Sequence, residues 1–171
     1  MVDITEPAPR TGWVFYLDTT HTALAPFSIT ADARTLLDFD STDDRQTDYQ
    51  GSPPHSFWDD TNNVFIPIDE GDEYTIRLQF RIEPSGMGAS PFMVLEFETD
   101  DDPALTATGN VETVMEKTVV LARGVGLVSA ITESAPLFVG AAFGKGRIYI
   151  TSSHDAAIHE IALHVGRRHK V

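Results

Sequence analysis

Residues 71–82 read GDEYTIRLQFRI and alternate apolar with polar side chains from Tyr74 onward. The first set is apolar and the second is polar: Tyr74, Ile76, Leu78, Phe80 and Ile82, against Thr75, Arg77, Gln79 and Arg81. A period of two residues places the apolar set on one face of a strand, whereas a helix would scatter it around the axis. The pattern therefore predicts a β-strand with one buried face.

Similar segments recur along the chain, and turn residues separate them. They span residues 13–17, 27–30, 35–39, 64–68, 92–99, 114–121, 127–132, 137–143, 147–151 and 158–165. Short helical turns fit only residues 57–62 and 155–157, and neither segment carries an apolar stripe of helical period. The number and spacing of the strands predict an all-β protein, either a β-sandwich or a jelly roll.

The chain divides into an arm, one domain and a short tail. Residues 1–11 contain Pro7 and Pro9, which favour extended backbone, and are predicted to form an extended N-terminal arm. Residues 12–166 form the predicted sandwich, because a chain of 171 residues suits one domain. Residues 167–171 include Arg167 and Arg168 and are predicted to form a basic C-terminal tail.

The formal net charge of -14 is unevenly distributed. Residues 1–112 hold 22 acidic against 5 basic residues, and residues 113–171 hold 4 against 7. An acidic surface repels phosphate backbones, so nucleic acid is not expected as a partner. The basic end of the chain either contacts an acidic partner or is simply solvated.

The sequence contains neither cysteine nor a long apolar run. Stability must therefore come from packing, since disulfides and thiolate metal sites are excluded. A bilayer span needs about 20 apolar residues, and the N-terminus lacks the basic start and apolar centre of a signal peptide. We expect a soluble protein without a secretion signal or a membrane partner.

The last predicted strand has one apolar face and one mixed face. The apolar face carries Ile161, Leu163 and Val165, and the mixed face carries Ile158, Glu160, Ala162 and His164. A partly apolar outer sheet suits a contact between subunits. The predicted contact with another subunit or a partner protein comprises Ile158, Glu160, Ala162, His164, Arg167 and Arg168. The alternative is that a loop or the N-terminal arm covers this face.

Candidate metal sites are weak. Asp38, Asp40, Thr42 and Asp44 offer alternating oxygen ligands, but an EF-hand loop from Asp38 would need glycine at position 43 and a bidentate acid at position 49. His154, His159, His164 and His169 follow a spacing of five, which predicts that successive members lie on opposite faces of a strand. No metal or other cofactor is expected.

Candidate catalytic groups are also weak. Glu96 and Glu98 share one face of a strand about 7 Å apart, which lies in the range of glycosidase carboxylate pairs. Any solvated strand produces such pairs, so a non-enzymatic protein is predicted. Residues 140–147, GAAFGKGR, lack the leading glycine and final hydroxyl of a phosphate loop and predict a hairpin turn.

Two segments carry a resemblance to a known group of proteins. Residues 56–82, SFWDDTNNVFIPIDEGDEYTIRLQFRI, resemble a segment of tailed-phage structural proteins in which a Trp-containing turn, an Ile-Pro element and a Gly-Asp-x-Tyr strand follow one another. Residues 136–165, PLFVGAAFGKGRIYITSSHDAAIHEIALHV, look like the closing hairpins of the same module. The resemblance implies a jelly roll similar to the tumour-necrosis-factor (TNF) and C1q domains, which usually associate as trimers.

The resemblance implies a phage virion structural protein. Within it we expect a capsid decoration (cement) protein that binds the assembled head as a homotrimer, with itself and the major capsid protein as partners. It would be synthesised in the host cytoplasm and located on the capsid surface. The alternative is a tail or head fibre tip that recognises host-surface glycan or protein through residues 40–56 and 83–90. Candidate residues in or beside these loops are Tyr49, His55, Trp58 and Met87.

Overall fold

The computed structural model describes residues 12–41, 43–46, 56–68, 71–85, 91–100, 111–123, 126–138 and 144–169. These residues form twelve strands: β1 (Gly12–Leu17), β2 (Phe27–Ile29), β3 (Thr35–Leu36), β4 (Asp43–Gln46), β5 (Trp58–Asp59), β6 (Val64–Phe65), β7 (Asp72–Pro84), β8 (Phe92–Asp100), β9 (Val111–Val120), β10 (Ser129–Phe138), β11 (Lys145–Ser152) and β12 (Ala156–His169). The described part contains no helix, and so none that could cross a membrane. The residues predicted as helical turns lie in strands and turns instead.

The strands form two six-stranded sheets that pack face to face. Sheet I has the order β10-β7-β12-β1-β4, with β2 also paired to β12. Sheet II has the order β5-β6-β11-β8-β9, with β3 also paired to β11. Each pair of strands in the two sheets is antiparallel. The predicted antiparallel β-sandwich of jelly-roll type is confirmed.

β7 shows why this sequence forms a sandwich. Tyr74, Ile76, Leu78, Phe80 and Ile82 are all buried in the core, while Thr75, Arg77 and Arg81 on the opposite face are exposed. β7 lies between β10 and β12, so its backbone groups pair along both edges. The alternation predicted from the sequence is thus the alternation between the core and the outer face of sheet I.

Four aromatic rings fill one part of the core between the sheets. Phe65 of β6 lies with its ring centroid 5.1 Å from Tyr74, 6.4 Å from Phe57 and 6.5 Å from Phe97. Phe57 stacks on Phe65, whereas Tyr74 and Phe97 meet it edge on. These side chains are fully or almost fully buried, so the cluster joins strands of both sheets.

The predicted hairpin around residues 140–147 is wrong. β10 ends at Phe138 and belongs to sheet I, where it pairs with β7. β11 begins at Lys145 and belongs to sheet II, where it pairs with β8. The connection therefore crosses from one sheet to the other. Turn residues mark where a strand ends, but the partner of the next strand is decided by packing.

Candidate functional site

The outer face of sheet I presents an apolar strip along β1 and β12. Val14 and Tyr16 of β1 point into the core, so the alternating residues Trp13, Phe15 and Leu17 point outward. The antiparallel register pairs these three with Gly166, His164 and Ala162 of β12 in turn. We call these six residues the β1–β12 face. The sequence signal was the alternation in GWVFYL at residues 12–17, which by itself did not identify the strand beside it.

A β-bulge divides β12 and changes which residues face outward. The register with β7 shifts between His159 and Ala162. Glu160 has a left-handed φ of 53°, and its N–H donates to the carbonyl oxygen of His21 (3.1 Å). Because the bulge inserts an extra residue, Ile158 points into the core and is fully buried. The prediction that Ile158 shares an outer face with Glu160, Ala162 and His164 is therefore wrong for Ile158.

The same bulge places two histidines on one face. His159 lies opposite Arg81 of β7, and His164 lies opposite Arg77. The prediction that these histidines point to opposite faces is wrong, because simple alternation ignores the extra residue. His159 is buried, and within the described residues its Nδ1 has no hydrogen-bond partner. Glu160 Oε1 lies 3.7 Å from that Nδ1, and Glu160 Oε2 pairs with Arg81 Nε (2.7 Å).

We expect His164 to make the stability of the domain depend on pH. Burial, followed by the positive charge of Arg77, lowers the pKa of His164 below its ordinary value of 6.5. The unfolded chain therefore takes up this proton first as the pH falls. The free energy of unfolding should decrease as the pH falls from about 6.5 to the lowered pKa of the folded state, and it should change little on this account above that window.

Urea denaturation at a series of pH values between about 5 and 8 measures this dependence. His164→Gln should flatten the curve relative to the unsubstituted chain. His154→Gln is the matched substitution at a histidine outside the β1–β12 face. An unchanged curve in His164→Gln would contradict the assignment.

The two arginines assigned to a basic tail belong to β12, which continues to His169. Arg167 Nε donates to Asp72 Oδ2 (2.6 Å), and the two side chains are 8% and 0% exposed. Tyr74 Oη also donates to Asp72 Oδ2 (3.1 Å). Arg167 is thus a buried partner of the sandwich, whereas the neighbouring Arg168 is exposed. Only Arg168 of this pair is available in the isolated chain for a partner.

The predicted recognition loops are placed only in part. Trp58 is 2% exposed, and its indole N–H donates to the carbonyl oxygen of Phe39 (3.1 Å). The prediction that Trp58 contacts a receptor is therefore wrong, because β5 turns its side chain into the core. Tyr49, His55 and Met87 lie outside the described residues.

The carboxylates considered for ions and catalysis have partners within the domain. Asp38 accepts a hydrogen bond from Asn63 Nδ2 (3.1 Å), and Asp40 accepts one from Thr20 Oγ1 (2.7 Å). Thr42 lies outside the described residues, and Asp44 lies in β4. In the ranges that the structure describes, no group of three or more histidines and carboxylates could hold a metal ion.

Glu96 and Glu98 share one guanidinium on the outer face of sheet II. Arg34 Nε donates to Glu96 Oε2 (2.9 Å), and Arg34 also pairs with Glu98. The guanidinium carbon lies 3.6 Å from the ring centroid of Tyr149. The hydrogen bond to Glu98, more than that to Glu96, raises the pKa of Arg34 above its ordinary value. This arrangement is an ion-pair cluster in which both carboxylates are paired with Arg34.

Comparisons with known proteins identify the fold. The structure of Eiger TNF from S. frugiperda is similar to this chain, with a TM-score of 0.55 and 13% sequence identity, and the match covers 95% of each chain. A xylanase structure from Clostridium thermocellum, which contains CBM22-1 and GH10 modules complexed with xylohexaose, also matches in part. The match covers 56% of this chain and 17% of the xylanase chain, at 22% sequence identity. Its TM-score of 0.35 is too low to indicate a shared fold. No protein-family model and no curated protein matches the sequence. At this identity the comparison establishes the TNF-like jelly-roll fold of the chain.

Proposed function

We propose that this chain is a non-enzymatic structural protein that associates as a homotrimer and decorates the assembled head of a phage. The observation that carries the self-association is the β1–β12 face. Trp13, Phe15 and Leu17 form a row of large apolar side chains on the outside of sheet I, directly beside the small or uncharged Ala162, His164 and Gly166.

This face has the composition of a contact between subunits. Aromatic residues are enriched in interface cores and charged residues are depleted there. Arg77, Arg81 and Arg168 lie outside the strip, on the neighbouring strand β7 and at the end of β12. A second copy that covers the strip would remove large apolar groups from water and leave the charges at the solvated rim.

The role in a virion rests on the resemblance of residues 56–82 and 136–165 to tailed-phage structural proteins. A protein that binds the assembled capsid lattice, but not free capsid subunits, stabilises the assembled state by mass action. The exposed Arg168 at the end of β12 offers a cation to an acidic surface of the major capsid protein. The proposed site of action is therefore the capsid surface.

Sedimentation and particle fractionation test the two parts separately. The purified chain should sediment with a mass about three times 18.8 kDa, and a single-chain mass at every concentration would overturn the trimer. In fractionated virions of the source phage, antibodies against the chain should label intact heads. Label confined to tail tips would overturn decoration and favour the fibre-tip alternative.

Recognition of a host-surface glycan or protein stays a prediction for residues 40–56 and 83–90, of which Asp43–Gln46 lie in β4 and residues 83–84 in β7 rather than in loops. Loops on a rigid sandwich are suited to such sites. A glycan array probed with the folded, assembled protein measures glycan binding. Binding to defined glycans that Tyr49→Ala abolishes would support recognition, and the absence of any bound glycan would count against that class of receptor.

A further inference from the structure

Two glycines inside strands have different reasons to be glycine. In β11, a Cβ added to Gly146 would lie 2.5 Å and 2.9 Å from ring atoms of Phe97, which is buried in the core. Packing inside the domain therefore requires glycine at position 146. In β12, a Cβ added to Gly166 would meet only His164 Cε1 at 3.8 Å and the carbonyl oxygen of Thr75 at 3.9 Å. Both distances are ordinary contacts.

The fold itself therefore does not require glycine at position 166. Its φ lies outside the left-handed region that favours glycine, where only Gly71 and Gly126 are found among the described glycines. A glycine within a strand loses backbone entropy on folding and contributes no side chain to packing. One established reason for keeping such a residue is the close approach of another backbone or a ligand.

Gly166 forms part of an open groove of about 330 Å³ on the outer face of sheet I. The groove is lined by Gly12, Glu73, Thr75, Gly166, Arg167 and Arg168. In the sheet, Gly166 lies between Trp13 of β1 and Thr75 of β7. The groove is therefore continuous with the β1–β12 face at the end of that face where β1 begins.

We propose that Gly166 keeps this groove open for a second copy of the chain, part of which lies directly against the bare backbone of β12. The inference rests on the proposed self-association and specifies where the closest contact lies. A small-molecule ligand fits the groove poorly, because such pockets are mostly lined by apolar and aromatic side chains. This groove is lined by glycine backbone, one threonine and charged residues.

The groove presents charged side chains of both signs. Arg168 is exposed at the groove, and Glu73 of β7, which also lines the groove, lies opposite it in the register. A copy seated in the groove can place polar groups beside Glu73 and Thr75, while its backbone or a side chain occupies the space above Gly166.

Gly166→Val tests the proposal, with Gly166→Ala as a milder variant. The structure has room for the added Cβ, and β-branched residues suit strands, so the circular dichroism spectrum and thermal unfolding of the variant should show a folded sandwich. Self-association should weaken at least about 10-fold, measured by sedimentation equilibrium across a concentration series. Gly166→Ala should weaken it less. Ala130→Val, which adds similar bulk at an exposed position of β10 in the same sheet, should leave it unchanged.

The outcomes separate this inference from the proposed function. If the unsubstituted chain sediments as a single chain throughout, the proposed self-association is wrong. If it assembles and Gly166→Val assembles with the same dissociation constant, the groove is not the contact, although self-association stands. An equal loss in Ala130→Val would also overturn the assignment to the groove. Should Gly166→Val fail to fold, the dissociation constant of Gly166→Ala is compared with that of the unsubstituted chain. Equal constants would show that the groove is not the contact.

Discussion

Arg167→Met is expected to lower the free energy of unfolding by about 3–5 kcal/mol, because it leaves the carboxylate of Asp72 buried without its cation. The two side chains are almost fully buried and 2.6 Å apart, and the hydroxyl of Tyr74 also donates to Asp72 Oδ2. Urea denaturation, read as the change in midpoint at constant slope, measures the effect.

Arg168→Met is the matched control for this ion pair. It makes the same chemical change one residue further along β12, at an exposed side chain, and should alter stability by no more than about 0.5 kcal/mol. Adding Asp72→Asn to Arg167→Met should recover much of the loss, since the neutral amide removes the buried charge and still accepts from Tyr74. Equal losses in Arg167→Met and Arg168→Met would show that the buried pair does not carry the effect.

Phe65→Ala should lower the free energy of unfolding by about 3–5 kcal/mol. Phe65 is fully buried and contacts the rings of Phe57, Tyr74 and Phe97, which belong to different elements and cannot all close onto the space that the ring leaves. The cavity is therefore expected to persist, and its lining to lose dispersion contacts. Thermal and urea unfolding should agree on the loss.

Phe92→Ala provides the comparison for this core substitution. Phe92 is 40% exposed at the start of β8, so the same change removes a ring that already contacts water. We expect a loss of about 1 kcal/mol or less. If Phe65→Ala and Phe92→Ala lower the free energy of unfolding by similar amounts, the expectation that the aromatic cluster around Phe65 is rigid is wrong.

The strands were predictable where one face meets the core and the other meets water. Tyr74 to Ile82 in β7 and residues 92–99 in β8 have alternation strong enough to set both strand and face. β10 was less well predicted, because residues 127–132 and 137–143 were read as two strands and the structure has one, Ser129–Phe138. Pro136 weakens the strand signal, but β10 is an edge strand, where a missing backbone donor is tolerated.

The candidate site was predictable only in part. Glu160, Ala162 and His164 were assigned to an outer face from the sequence, and they lie on the outside of sheet I. Ile158, Trp58 and Arg167 were assigned to contacts, but their side chains are buried in the domain. Leu17 and Gly166 were missed, since their importance comes from a neighbouring strand that is far away in the sequence.

The sequence by itself determined that this protein is a β-sandwich, because side-chain alternation is local. Within each strand, the alternation shows which face is buried in the core. Only the tertiary structure decided which strands are neighbours, where the bulge at Glu160 reverses the faces of β12, and which charge pairs with Asp72. These features depend on contacts between residues as far apart as Asp72 and Arg167. Such contacts follow from how two sheets pack together, and no local pattern encodes them.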